Sequence, residues 1–200
     1  MPRVGTVLAV LAMLALGWAT VALAAPGRGA GGSGDHGGAG AKGHHGKRDR
    51  FASATLRNAS GEKVGRVQMR ERRRGGGVIV VARVHDLAPG FHGFHVHTAG
   101  RCDAPAFTTA GGHFNPTGGP HNAHAGDLPS LLVNADGRAT LVTVSDRFSL
   151  ADLRDADGSA VMVHSGPDNF ANIPPRYGTP DAETLNTGDS GSRVACGVVR

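Results

Sequence analysis

Short apolar segments of alternating pattern, each bounded by glycine, proline or asparagine, run through this chain from Phe51 onward. Phe51–Leu56 and Lys63–Met69 flank the turn Asn58-Ala59-Ser60-Gly61 and read as a hairpin. Val78–Val84 follows Gly75-Gly76-Gly77, and His92–His97 follows Ala88-Pro89-Gly90. Leu131–Asn134 and Arg138–Val144 lie on either side of Ala135-Asp136-Gly137, and Ala160–His164 and Val194–Val199 complete the set. Only a brief stretch near Leu150–Arg154 has helical character. About eight short antiparallel strands with almost no helix predict an all-β Greek-key sandwich or flattened barrel. Two irregular segments, residues 99–129 and 165–193, exceed ordinary loop length. Loops that long in a compact domain usually carry function.

Before Phe51 the pattern is different. Arg3 precedes an uncharged run of 22 residues, Val4 to Ala25, which ends in the small residues Ala22-Leu23-Ala24-Ala25. This reads as a secretory signal peptide over residues 1–25 with an A-x-A-like cleavage site. Membrane association is expected only if that segment is retained. No cysteine stands directly after the run, so no bacterial lipid anchor is expected there. Residues 26–50 are Gly-, Ala-, His- and Lys-rich without hydrophobic periodicity, the composition of a disordered linker. Within it, His36, His44 and His45 read as a solvated tail or as a loose captor of transition metal. One folded domain is expected over residues 51–200, in a secreted or periplasmic protein of the cell envelope. In such an oxidising compartment the only two cysteines, Cys102 and Cys196, are able to pair.

Composition adds little beyond this. The 32 glycines and 4% aromatic content fit a turn-rich β domain. The net charge is +5, and its one dense cluster, Arg70-Glu71-Arg72-Arg73-Arg74, adjoins a glycine turn and reads as a solvated hairpin end. No recognition motif accompanies it, so no nucleic-acid partner is expected.

Histidine carries the chemistry. His95 and His97 are two apart on a predicted strand, so both imidazoles project from one face. His113, His121, His124 and Asp127 bring three imidazoles and a carboxylate into one Gly/Pro-rich loop, a donor set that suits tetrahedral zinc. His164 ends the apolar strand Ala160-Val161-Met162-Val163, where a lone histidine is more often a core residue. His85 and His92 read as strand-end histidines rather than ligands.

Taken together, these pieces carry a resemblance. Gly93-Phe94-His95-Val96-His97, Cys102, Gly111-Gly112-His113-Phe114-Asn115-Pro116 and His124-Ala125-Gly126-Asp127-Leu128 stand in the order seen in copper/zinc superoxide dismutases. Val163-His164 and Gly191-Ser192-Arg193-Val194-Ala195-Cys196-Gly197 complete the series over roughly residues 51–200. The resemblance implies copper on His95, His97, His113 and His164, and zinc on His113, His121, His124 and Asp127. His113 is then the imidazolate bridge. Asp168 resembles the aspartate that links a copper histidine to a zinc histidine, and Arg193 the arginine that attracts and orients the anion. Cys102 and Cys196 match the family disulfide, which ties the first long loop to the last strand.

The implied reaction is dismutation of superoxide, with His113 and Arg193 as the catalytic side chains. A secreted copper-binding or copper-delivery protein without turnover is the alternative. The resemblance leaves a homodimer open as a partner. Two departures stand out. Only two residues separate His121 from His124, where family members usually have a longer zinc loop. Asn186 stands before Thr187-Gly188, where eukaryotic members often have lysine. Asn172-Ile173-Pro174-Pro175-Arg176-Tyr177 resembles part of the active-site loop of bacterial members, with Arg176 a candidate for local anion attraction.

Overall fold

The computed structural model describes residues 50–74 and 76–200. The expected signal peptide, and all of the expected linker except Arg50, lie outside the described residues. Among the described residues there are nine strands: β1 (Phe51–Arg57), β2 (Lys63–Glu71), β3 (Val78–Val84), β4 (Gly90–His92), β5 (Phe94–His97), β6 (Leu131–Val133), β7 (Ala139–Ser145), β8 (Ala160–His164) and β9 (Arg193–Val198). Seven form one curled antiparallel sheet in the order β5-β8-β9-β1-β2-β3-β7, and β4 pairs with β6. β1, β2 and β3 form a meander, after which the chain supplies β5 at the far edge of the sheet and then returns as β7 beside β3.

Alternation along the strands decides what is inside. Ala52, Ala54 and Leu56 of β1, Val67 and Met69 of β2, and Val78, Val80, Ala82 and Val84 of β3 are buried in one core with Phe94, Val96, Val161 and Val163. Each large apolar side chain buried in this way contributes roughly 1.5–3 kcal/mol relative to exposure. β5 and β8 are buried on both faces. Phe94 and Val96 enter the main core, which leaves His95 and His97 on the opposite face. Met162 and Ala160 of β8 pair with those histidines in register, and pack into a second small cluster with Phe107, Ala110 and Cys196 under the first long loop.

The single strand expected over His92–His97 is two strands. Gly93 divides it, so that β4 joins β6 while β5 joins β8. A Cβ at Gly93 would meet Ser190 Cβ at 2.6 Å, and the Gly93 backbone instead bonds Gly166 and His164. The helical stretch expected near Leu150 is a 3₁₀ turn, Asp152–Arg154, with Leu153 buried. The second long loop contains a helix that the pattern did not predict, α1 (Ala182–Thr187). Asp181 caps its start through Thr184 N, and Gly188 ends it at φ 65.

Cys102 and Cys196 are joined by a disulfide across a sequence separation of 94. In the chain-entropy picture a closed loop of that length stabilises by on the order of 4–5 kcal/mol, an upper figure. Cys102→Ser/Cys196→Ser protein, compared with the oxidised protein by metal-free denaturant titration, is expected to lose several kcal/mol of stability. A loss under about 1 kcal/mol would show that packing alone holds the loop.

Candidate metal centre

The first long loop folds back along the free edge of β5. Phe114 N donates to Val96 O, Val96 N to Gly126 O and Gly126 N to Phe114 O, at 2.8, 2.9 and 2.8 Å. Two isolated bridges, His97 with His113 and His95 with Asp127, fix the register. Gly126 is needed for this approach, because a Cβ there would collide with the Val96 carbonyl. Loop residues thereby stand beside the outward face of β5, where alternation has put His95 and His97. His164 reaches the same place from the end of β8.

Two buried donor sets result. His95, His97, His113 and His164 form one, and His113, His121, His124 and Asp127 form the other, with the donor atoms of each set within 4.8 Å of one another. The nitrogens not aimed into the sets show which atoms remain for a metal. His97 Nδ1 lies 2.9 Å from Gly111 O, and His164 Nδ1 lies 3.1 Å from Gly191 O. His95 Nε2 and His121 Nε2 lie 2.7 and 2.8 Å from the two oxygens of Asp168. That leaves His95 Nδ1, His113 Nε2 and His121 Nδ1 buried without a hydrogen-bond partner. Buried polar atoms ordinarily have partners, so three orphans converging on two histidine clusters fit metal coordination. His113 belongs to both sets. Its Nδ1 lies 3.0 Å from Asp127 Oδ1 and 3.3 Å from His124 Nδ1, while Nε2 faces the four-histidine set.

Protonation follows from this geometry. Burial lowers His95 to about 4, against the opposing effect of the hydrogen bond it donates to Asp168. Burial and the neighbouring His95 lower His164 to about 3. His97 is held well below its ordinary value by burial and by His113. These rings are therefore neutral at pH 7, the form that binds metal. His121 behaves oppositely: burial would lower it, but Asp127 and Asp168 outweigh burial and raise it to about 9. Burial pushes both carboxyls up, yet histidine hydrogen bonds hold Asp127 and Asp168 well below the usual carboxylate range. His121 thus carries its proton at pH 7 against the ionised carboxylates, and a cation entering the three-histidine-plus-aspartate set has to displace that proton.

The two-residue gap between His121 and His124 closes through a tight turn. Asn122 takes φ 69, a left-handed conformation that asparagine tolerates. Its Nδ2 donates to Phe170 O at 2.9 Å, and Arg147 Nη1 donates to Asn122 O at 2.7 Å and to His124 O at 3.3 Å. Sequence reasoning missed Arg147, which lies just past β7 with no motif around it. It also missed the close approach at Gly188, where a Cβ would overlap both Asp168 Oδ1 and His121 Nε2.

A cleft opens onto the four-histidine set, lined by His97, His113, His164, Glu183, Asn186 and Arg193 among others. Arg193 opposes His164 in register. Its guanidinium donates to Phe107 O at 2.7 Å and Gly111 O at 2.6 Å, both in the loop that the disulfide fastens. Three other singled-out residues stand apart from the two sets. His85 lies 2.7 Å from the Asp86 carboxylate, and His92 is buried with its ring nitrogens 2.6 and 2.8 Å from the carbonyls of His164 and Ala88. Arg176 stacks on exposed Tyr177 at 4.7 Å and is not among the residues that line the cleft.

Asp168 grips one histidine of each set, so its loss should be felt in both. In Asp168→Asn the amide offers one acceptor oxygen where two ring N–H groups need one each. Metal affinity is expected to fall about 10- to 100-fold, read by competition with a chromophoric chelator. Unchanged affinity at both sets would show that Asp168 does not orient the rings.

Comparison with known proteins bears on what such a pair of sets is for. The family model described as copper/zinc superoxide dismutase (SODC) matches residues 63–199. A superoxide dismutase [Cu-Zn] of Mycobacterium tuberculosis is 47% identical over 138 residues, covering 60% of this chain and 58% of that protein. This chain thus spans less than two thirds of that relative's length. The Photobacterium leiognathi superoxide dismutase [Cu-Zn] is 34% identical over 155 residues, 70% of this chain and 81% of that protein. Among solved structures, a SOD-like protein from Bacillus subtilis aligns with TM-score 0.62 at 31% identity, covering 73% of this chain and 96% of that one. The Cu/Zn superoxide dismutase from Brucella abortus aligns with TM-score 0.60 at 30% identity, covering 75% and 99%. With the family model matched across both donor sets and the disulfide, the chain belongs to the copper/zinc superoxide dismutase family.

Proposed function

We propose that this chain dismutates superoxide to dioxygen and hydrogen peroxide in the cell envelope or outside the cell. The observation that carries the proposal is His113, one buried ring with a nitrogen in each donor set. Copper would be held by His95 Nδ1 and the Nε2 atoms of His97, His113 and His164. Four neutral imidazoles suit it. Zinc would be held by His113, His121 and His124 through Nδ1 and by Asp127, the set suited to tetrahedral coordination. When bound, copper supplies a one-electron couple and zinc a fixed positive charge that tunes the shared imidazole.

The chain's residues provide the rest. Two superoxide anions and two protons are consumed for each dioxygen and hydrogen peroxide formed. Whenever it is not given to copper, His113 Nε2 would be free to hold one of the protons and to deliver it to the departing peroxide. Solvent in the cleft supplies the second. Arg193 gives the cleft a positive charge that its two carbonyl partners do not neutralise, and it draws the anion in beside His97 and His164. Asp168 and the carbonyls of Gly111 and Gly191 keep the rings aimed. Glu183 stands on the same cleft wall and opposes anion entry, so Arg193 has to dominate the local field. The envelope location is supported by the disulfide, which persists in oxidising compartments.

Purified protein is expected to hold one copper and one zinc per chain and to consume superoxide in a chelator-sensitive manner. Tight copper binding with no turnover would instead support a copper-delivery role. Arg193→Glu is expected to keep its copper spectrum but lose about tenfold or more of its rate, because a charged cleft raises anion on-rates by roughly 10- to 1,000-fold. The salt dependence should also change sign, with added salt slowing the parent protein and speeding the variant. Near-normal turnover in Arg193→Glu would remove the arginine from the mechanism.

A further inference from the structure

The outer face of β1, β2, β3 and β7 is unlike a solvated sheet surface. Outward side chains meet across these strands in three rows, as the cross-strand registers show. The first is Phe51–Arg70–Ile79–Val144, the second Ser53–Gln68–Val81–Val142 and the third Thr55–Arg66–Arg83–Thr140. Not one of these side chains is acidic. Three are arginines and five are apolar. Val142 is 65% exposed, and Phe51 and Val144 are each 50% exposed. Glu71, the acid nearest in sequence, is turned to Leu150 N, to which its carboxylate is hydrogen-bonded.

Two features single this face out. Arg66 and Arg83 are direct cross-strand partners, and like charges placed opposite one another destabilise a sheet. Among the described residues, no salt bridge engages Arg66, Arg70 or Arg83. The single hydrogen bond in this group is a long one, Arg66 Nη2 to Ser53 Oγ at 3.4 Å. An anion between the two guanidinium groups would relieve the repulsion, and arginine's planar fork matches phosphate oxygens. Four of the five apolar side chains lie in the adjoining rows at the β3–β7 side, with Phe51 across from them on β1, and exposed arginines Arg72, Arg73 and Arg74 extend the charge past the end of β2. The chain enters this face at Phe51, after Lys42, Lys47, Arg48 and Arg50, with Asp49 the one acid in that stretch.

We propose that this face docks on a bilayer bearing anionic phospholipid. Arg66, Arg70 and Arg83 engage headgroup phosphates, while Phe51, Val142 and Val144 settle into the interfacial layer. A purely polyanionic partner would have use for the arginines and none for the exposed aliphatic side chains between them. Bilayer interfaces reward both. No residue lining the metal cleft belongs to β1, β2, β3 or β7, so the docked protein keeps its cleft open to solvent. Binding is then independent of the metals and of turnover.

The test is sedimentation of the full chain with phosphatidylcholine vesicles, pure or containing a quarter phosphatidylglycerol. Binding is expected only with phosphatidylglycerol and should weaken as salt is raised. Each basic residue near such a surface accounts for about a fivefold change in affinity, so Arg66→Gln/Arg83→Gln should bind about 25-fold more weakly. Val142→Asp should also bind more weakly. Both variants should retain metal content and superoxide consumption, which shows that they fold. Equal binding to the two vesicle types, or equal binding by parent and variants, would overturn the proposal and point to the N-terminal apolar segment. Duplex DNA binding without vesicle binding would overturn it in favour of a polyanion site.

Discussion

Six imidazoles packed side by side impose one constraint on everything around them: each buried ring has two nitrogens, and both need a partner. A ring that offers one nitrogen to a metal must hand the other to an oxygen acceptor, or its tautomer and orientation are not fixed. For four of the six rings the acceptors are Gly111 O for His97, Gly191 O for His164, and the two oxygens of Asp168 for His95 and His121. His113 has no such acceptor outside the two sets, since Asp127 and His124 on its Nδ1 side belong to one of them. With a nitrogen turned to each set, it belongs to both. The carbonyl at Gly111 lies in the first long loop and that at Gly191 in the second, as does Asp168, so the position of the loops sets the aim of the histidines.

Loop position in turn depends on attachments far from the histidines in sequence. The disulfide fastens the first loop to β9, and the same strand begins with Arg193, which donates to Phe107 and Gly111 of that loop. The Gly111 carbonyl serves two masters: it accepts from Arg193 Nη2 and orients His97 Nδ1. The cation at the cleft and a ligand of the four-histidine set are therefore positioned by one peptide group. A displacement of the Gly111 carbonyl therefore acts on both.

Strand alternation and histidine spacing made part of this legible in advance, and the family resemblance implied the sharing of His113 and the places of Asp168, Arg193 and the disulfide. His95 and His97 share a face because they are two apart on β5, and the apolar run before His164 identified a buried strand. What could not be read were features set by tertiary contact. Gly93 looks like an ordinary residue within a strand, and only the close approach of Ser190 explains why the strand divides there. Helix α1 is six residues long, too short for periodicity to declare it, although Asp181 and Gly188 are serviceable start and stop signals. Arg147 carries no local signature at all, because its partners lie more than twenty residues earlier in the chain.

Arg147 also explains how a short loop can do the work of a longer one. A connection of two residues between His121 and His124 loses little chain entropy on closure, but it must adopt one conformation with few alternatives. Asn122 accepts the left-handed backbone, Ala123 N closes the turn on Pro120 O, and the guanidinium draws two carbonyls of the turn together. The turn is also fastened to the second long loop through Asn122 Nδ2 on Phe170 O and His121 N on Leu185 O. His121 and His124 are thus held by the Arg147 side chain and by the carbonyls of Phe170 and Leu185 instead of by a long loop folding on itself. Compactness replaces length here: the tight turn fixes the backbone that carries the two rings, and the carboxylates of Asp127 and Asp168 stand beside them.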